Sequence, residues 1–336
     1  MSFSFENIDL APDQRHRPGI EDVPILVHLG PHKTGSTWLQ NLFFPALGNI
    51  IFTDNTKLTH DAFLTPHYGA FSIDAVATAF APLLEKARAT GQPLIISDEA
   101  LGGRAFGQEY VREVIAHRIK RAFPKAKILA VSRRQDRILA SLYSEYLRYG
   151  HNSTLSAFLD QRDDDADCDP ILDMRYYEWD RTLRFYQDVF GSDSVKMLPM
   201  EQIIKDGTFL TDTLGKFLDV SLRPPAPALL ERRERPSLSG WAMNALRLWN
   251  HLVPNDSRHR SSLRRLSPNS IAWQVDRLTP KNARKRAADA HNTMIRARLG
   301  DRFGASNQSY AALIETDLKA LGYHLGAADE RNGSDT

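Results

Sequence analysis

Apolar positions along this chain fall into short continuous runs separated by stretches with helical spacing. From Pro24 the run PILVHL stops at Gly30, and a helix-period pattern resumes at Ser36 in STWLQNLFFPAL, ending near Pro45. NIIFTDN is a short strand or edge segment, followed by a poorly patterned stretch to about Ala70. SIDAVATAFAPLLEKARATG has helix-period apolar positions closed by Gly91, and PLIISDE after it is a second buried strand capped by two acids. FGQEYVREVIAHRIKRAF is helical, AKILAVSRR is a third strand ending in two arginines, and QDRILASLYSEYLRYG resumes the helix. A helix through RTLRFYQDVFG, a strand in SVKMLPM and a helix over EQIIKDGTFLTDTLGKFLDV complete the series. Short apolar strands alternating with helices predict an α/β fold with a mainly parallel central sheet covered by helices on both faces.

In such sheets ligands sit at the carboxyl ends of the strands, and here three of those ends carry PHKTGST, SDE and SRR. From Ser221 onward Pro and Arg rise and strands vanish. Three helical patterns are left, near SGWAMNALRLWNHL, RKRAADAHNTMIRARLG and SYAALIETDLKALG. The expected organisation is a polar lead-in over residues 1–22 and one α/β domain over 23–325, then a flexible tail over 326–336. Within the domain the core spans about 24–220 and a helical C-terminal extension about 221–325. No internal repeat is present.

Composition narrows the class. With 336 residues, 42% hydrophobic and 25% charged, the chain is of ordinary globular make-up. Its one cysteine, Cys168, excludes an internal disulfide framework and suits a reducing compartment. The first residues lack the apolar stretch of a secretory signal, and no run reaches the roughly 20 apolar residues of a membrane span. The expectation is a soluble, cytoplasmic protein. The net charge of +2 is unevenly placed, with ERRER, RHRSSLRR and KNARKR concentrated between Arg223 and Arg298. These patches are either solvated faces or contacts to phosphates, to an acidic ligand such as a glycan, or to nucleic acid. The carboxylates of DDDADCD at 163–169 lack EF-hand spacing and its glycine, so no metal site is assigned to them.

The chemistry concentrates in the loop. PHKTGST offers Gly35 for close backbone approach, Lys33 as a point charge, hydroxyls at Thr34, Ser36 and Thr37, and free N–H groups at a helix start, all suited to a phosphate-like anion. Gly30 and Gly35 have the spacing of a nucleotide-binding P-loop. The lysine, however, precedes the second glycine, whereas GxxxxGK[ST] places it after. The order Lys33, Thr34, Gly35, Ser36, Thr37, Trp38 resembles the 5'-phosphosulfate loop of the sulfotransferases, in style closest to their glycan-modifying and bacterial members. That resemblance implies a P-loop-like fold, 3'-phosphoadenosine 5'-phosphosulfate (PAPS) as donor, adenosine 3',5'-bisphosphate (PAP) as product, and no metal. It also implies an arginine at a strand end with a serine eight positions later, holding the donor's 3'-phosphate. Arg133 and Ser141 in SRRQDRILAS have that spacing, with Arg134 as the neighbour that could substitute. Trp38 matches the family's adenine-packing aromatic. The family's Arg-Lys-Gly segment is missing, and RRERPSLSG, with Arg235 and Ser237, is a poor counterpart.

Transfer of a sulfuryl group needs positive charge where the leaving phosphate develops charge, and a base for the acceptor's proton. Lys33 suits the first role. By the resemblance the base is Glu99 of SDEALGG, with Asp98 and His32 behind it, and the acceptor is a hydroxyl or amine on a small molecule or glycan. Two other readings compete. An ATP-dependent kinase would use LIISD as a Walker B strand with Asp98 on magnesium. A nucleic-acid-binding protein would use the basic C-terminal half, although no helix-turn-helix, zinc-finger or RNP signature accompanies it, so no nucleic-acid partner is expected.

Overall fold

The computed structural model describes residues 22–67, 69–103, 106, 111–160, 172–230, 238–253 and 268–326. The polar lead-in up to residue 21, the acidic loop with Cys168, the ERRER and RHRSSLRR patches, Arg235, Ser237 and the tail from 327 lie outside the described residues.

Five strands form one sheet: β1 Ile25–Leu29, β2 Ile51–Thr53, β3 Leu94–Asp98, β4 Lys127–Ser132 and β5 Val195–Pro199. All pairings are parallel and the order is β2-β3-β1-β4-β5. The central strand β1 and its neighbour β3 are buried along their whole length, as expected of strands covered on both sides. Alternate residues feed two cores. Ile25, Val27, Leu29, Leu94, Ile96, Ile128 and Ala130 face the larger one, with the helices Ile73–Thr90, Val111–Ala122, Gln135–Arg148 and Trp179–Phe190. Leu26, Ile95, Leu129 and Val131 face the smaller one, against Leu39, Phe43, Phe44 and the helix Phe209–Leu218. The chain leaves β1 towards β3 on one side and returns to β4 on the other, so the crevice at the carboxyl end of β1 is the sheet's switch point.

Register aligns the three loops. Leu29, the last residue of β1, pairs with Asp98, the last of β3, and with Ala130, two residues before the end of β4. Gly30, Glu99 and Arg133 therefore leave the sheet along one edge.

Several helices differ from the expected pattern for local reasons. The helix after the loop opens at Ser36–Trp38, widens to a π-helical stretch at Leu39–Phe43 and closes over Phe44–Ala46. Pro45 has no N–H to donate to the preceding turn, and its ring crowds that turn, which the wider stretch accommodates. The single helix expected over EQIIKDGTFLTDTLGKFLDV is two, Met200–Lys205 and Phe209–Leu218. The Asp206 carboxylate breaks it by accepting the N–H groups of Thr208 and Phe209. The poorly patterned stretch contains Thr56–Thr59, capped by Asn55, and a π-helical His60–Leu64.

The C-terminal extension contains Gly240–Leu252, Pro268–Leu278, Lys281–Leu299 and Gly304–Leu313; the second of these was not anticipated. The pattern expected over SYAALIETDLKALG stays helical only to Leu313. Buried polar contacts fasten the extension to the sheet and to the helix Gln135–Arg148. Tyr310 and Ser132 hydroxyls lie 2.8 Å apart, Gln135 donates to Asn307 at 2.8 Å, and Asn250 donates to the Leu147 carbonyl at 2.6 Å. Among the described residues no helix is long and apolar enough to cross a membrane.

Candidate active site

The loop between β1 and its helix is shaped by two residues in left-handed backbone. Lys33 has φ 65° and Gly35 φ 91°. Alternating handedness turns successive N–H groups into one concavity, a known arrangement for anions. For lysine such a backbone costs on the order of 1–3 kcal/mol, a strain typical of functional turns. Gly30 and Gly35 are needed for space as well. A Cβ at Gly30 would come 2.4 Å from Ser36 Oγ, and one at Gly35 3.2 Å from Met200 Cε.

The hydroxyls of the loop divide. Thr34 is buried and donates its proton to the Pro31 carbonyl at 2.6 Å, closing the turn. Ser36 is buried at the first helical position, and its Oγ has no hydrogen-bond partner. An unpartnered buried hydroxyl is costly, and this one stands at a helix start, where the first N–H groups have no helical acceptor. Thr37 is half-buried in the same turn. Trp38 is half-buried too and stacks on Phe43 with centroids 5.4 Å apart, so one part of its ring belongs to the smaller core.

Arg133 and Arg134 leave β4 side by side and do different things. Arg133 donates from Nη1 to the Lys33 carbonyl at 2.6 Å, tying the two loops together across the switch point. Burial holds its guanidinium below the usual range, opposed by the charge of Glu201. A bound anion would relieve that burden. Its own carbonyl is fixed by the Trp179 indole N–H at 2.9 Å. Arg134 instead closes a bidentate pair on Asp136, at 3.1 and 2.7 Å, and its N–H goes to Glu201, so its charge is committed to structure. Ser141 is half-buried on the helix Gln135–Arg148, one turn before Glu145 on the same face.

Two carboxylates flank the lysine. Glu99 lies 3.2 Å from His32 Nδ1, and His32 Nε2 lies 3.2 Å from the Gly103 carbonyl. A carbonyl only accepts, so Nε2 carries a hydrogen. His32 Nδ1 faces the Glu99 carboxylate and holds its orientation. Burial pushes the Glu99 carboxyl up, but the hydrogen bond and charge of His32 and the charge of Lys33 outweigh it and leave it below the ordinary range. Glu145 was not singled out from the sequence. Its Oε2 is 3.1 Å from Lys33 Nζ yet makes no directed hydrogen bond, so charge alone holds the pair. The signal available for it was its position one helical turn beyond Ser141.

Asp98, the alternative base or magnesium ligand, is turned away. Its oxygens accept from the Thr59 hydroxyl and from Ala100 N–H at 2.9 Å, capping the short helix Glu99–Gly102. Among the described residues no group of three or more His, Cys, Asp or Glu side chains is placed to hold a metal ion.

Comparison with known proteins matches this geometry at the level of fold. Neither protein-family models nor curated proteins give a match. Solved structures do. A sulfotransferase from Alicyclobacillus acidocaldarius aligns at 16% identity and a TM-score of 0.52, covering 89% of this chain and 98% of that one. A mouse sulfotransferase complexed with PAP aligns at 12% identity and a TM-score of 0.36, over 88% and 94% of the two chains. The chain has the sulfotransferase fold.

Proposed function

We propose that the chain is a sulfotransferase that moves a sulfuryl group from PAPS to a hydroxyl or amine acceptor, with a carbohydrate or glycolipid hydroxyl as the favoured class. The observation that carries the reading is the joining of the Lys33 loop and Arg133 at the switch point, with a buried, partnerless Ser36 hydroxyl at the start of the helix that follows the loop. The residues fit the donor. The loop N–H groups, Ser36, Thr37 and Lys33 would hold the 5'-phosphosulfate, with Thr34 shaping the turn around Gly35. Arg133 and Ser141 would hold the 3'-phosphate, and the exposed part of Trp38 the adenine.

On this reading the acceptor oxygen attacks sulfur as the bond from sulfur to the bridging phosphate oxygen breaks. The acceptor's proton passes to Glu99, oriented by His32. Lys33 stabilises the charge that gathers on the departing phosphate of PAP. The single cysteine supports a cytoplasmic setting.

Arg133→Ala tests the donor site by calorimetry. Arg133 holds the Lys33 carbonyl as well, so adenosine 5'-phosphate serves as the control for a loosened loop. PAP should lose on the order of 1.5–3 kcal/mol beyond any loss seen with the monophosphate, the scale of a charge-assisted contact. Equal losses for both ligands would confine Arg133 to shaping the loop and remove the support for a 3'-phosphate site.

A further inference from the structure

We propose that Glu145, with the rings of Tyr149 and Phe106, forms a subsite selecting a ring-bearing acceptor that carries a protonated amine beside its reacting hydroxyl. The inference rests on the donor reading given above and adds the acceptor's charge to it.

Three observations converge on this side of Lys33. First, Glu145 and Lys33 face each other at 3.1 Å with side chains only 19% and 26% exposed, and the facing oxygen is buried without a directed hydrogen bond. A donor anion on the loop competes for that one ammonium. Once Lys33 turns to it, Glu145 is left as a largely buried carboxylate whose charge has lost its compensation, a costly state that a new cation relieves. Second, the Tyr149 hydroxyl lies 3.4 Å from the other Glu145 oxygen while 54% of the residue remains exposed, and Phe106 stands edge-on to it at 5.9 Å. A partly exposed tyrosine beside a carboxylate is suited to an ammonium group and to the apolar face of a ring. Third, burial and the charges of Glu145 and Glu99 push the Tyr149 hydroxyl up, so it keeps its proton to offer a ligand oxygen.

Among the described residues, Lys33 and Arg133 are set against Glu99 and Glu145 around this space. Adding a polyanionic donor makes the site strongly negative. An acidic acceptor is repelled there, and a cationic one is drawn in only after the donor. Binding is therefore ordered, donor first. Because coupling is reciprocal, the amine must tighten the donor site by the same factor that the donor tightens the amine.

The test uses PAP as the bound nucleotide and three sugars sharing one ring: glucosamine, glucose and glucuronate. By calorimetry, glucosamine should bind the PAP-loaded protein about tenfold more tightly than the free protein, and more tightly than glucose, with glucuronate weakest. PAP should gain the same factor when glucosamine is in excess. Glu145→Gln should erase the advantage of glucosamine over glucose and strengthen PAP severalfold, because the competitor for Lys33 is gone. Tyr149→Ala should weaken all three sugars and leave PAP unchanged. If PAP binds normally but none of the sugars binds, or glucosamine has no advantage, or the advantage survives Glu145→Gln, the subsite is wrong and the donor reading stands. Failure of PAP itself to bind removes both.

Discussion

Glu99 is a carboxylate under opposed influences, and their outcome decides whether it can act as a base. Burial favours its neutral form, while His32 and Lys33 favour the anion and prevail. An acceptor hydroxyl has a pKa far above neutrality, so a positioned carboxylate contributes typically 10²- to 10⁴-fold by taking its proton in the transition state. Glu99→Gln keeps size and polarity and removes that capacity. Turnover with PAPS should fall on the order of 10²-fold while PAP affinity stays within about twofold, since the loss falls on the transition state alone. Full activity in the variant would exclude Glu99 as the base. The same balance predicts a pH profile. A base works only when deprotonated, so activity should persist as pH falls until it passes the depressed Glu99 value. His32→Gln removes the main lowering influence and leaves burial, so the acid limb of kcat/KM should move upward; an unmoved limb would mean that His32 does not set the charge of Glu99. The SDE carboxylates were visible in the sequence because a strand end exposes them. The division of labour between them was not. Asp98 faces Thr59, thirty-nine positions away, and Glu99 faces His32, sixty-seven away, and neither pairing leaves a local trace.

At the scale of elements, the strand, loop and helix from β1 to Ala46 were legible because an apolar run, a glycine-rich polar break and a 3.6-residue pattern each have a local cause. The loop's interior packing was less so. Gly30 lies in contact with the side chain of Ser36 and the backbone of Glu99, and that closeness brings the loop helix against the residue after β3. Gly30→Ala would put a methyl carbon within 2.4 Å of Ser36 Oγ and 3.1 Å of the Glu99 Cα. One of these must shift, and Ser36 itself is buried at the start of its helix. Overpacking of this kind typically costs about 1–3 kcal/mol. The variant should be less stable by that amount and lose PAP affinity together with stability. A PAP isotherm unchanged from the parent would show that the loop keeps its shape without this contact. The arginine pair at the end of β4 illustrates the limit of reading by spacing. Arg133 and Arg134 are equivalent in sequence, and only the fold gives one to the loop and the other to Asp136.

Across the whole molecule, the parallel sheet was legible from five short apolar runs, whereas the extension's attachment was not, because it rests on contacts between residues more than a hundred positions apart. Asp136 is the clearest of these. It stands in the first turn of the helix Gln135–Arg148, 9% exposed, and accepts from Arg134 and, across 160 positions, from Arg296 Nε at 2.7 Å. Burial raises its carboxyl, but the hydrogen bonds of Arg296 and Arg134 outweigh that and hold it below the ordinary range. Its folded pKa is therefore lower than the unfolded value near 3.9, so its ionic contribution is present above about pH 4 and is lost as pH falls through the folded value. Asp136→Asn keeps the shape and removes the charge from both arginines. At neutral pH the variant should be less stable by about 1.5–3 kcal/mol, the range for hydrogen bonds to a charged group, with Arg296 partly exposed and weighing towards the lower end. The gap between parent and variant should then narrow as the parent's Asp136 protonates in acid. Urea unfolding at neutral pH and in the acid range reads both quantities. A gap that stays constant down to the lowest pH would mean that Asp136 contributes shape and neutral hydrogen bonding, and that the extension is held to the sheet by Asn307, Tyr310 and Asn250 without its charge.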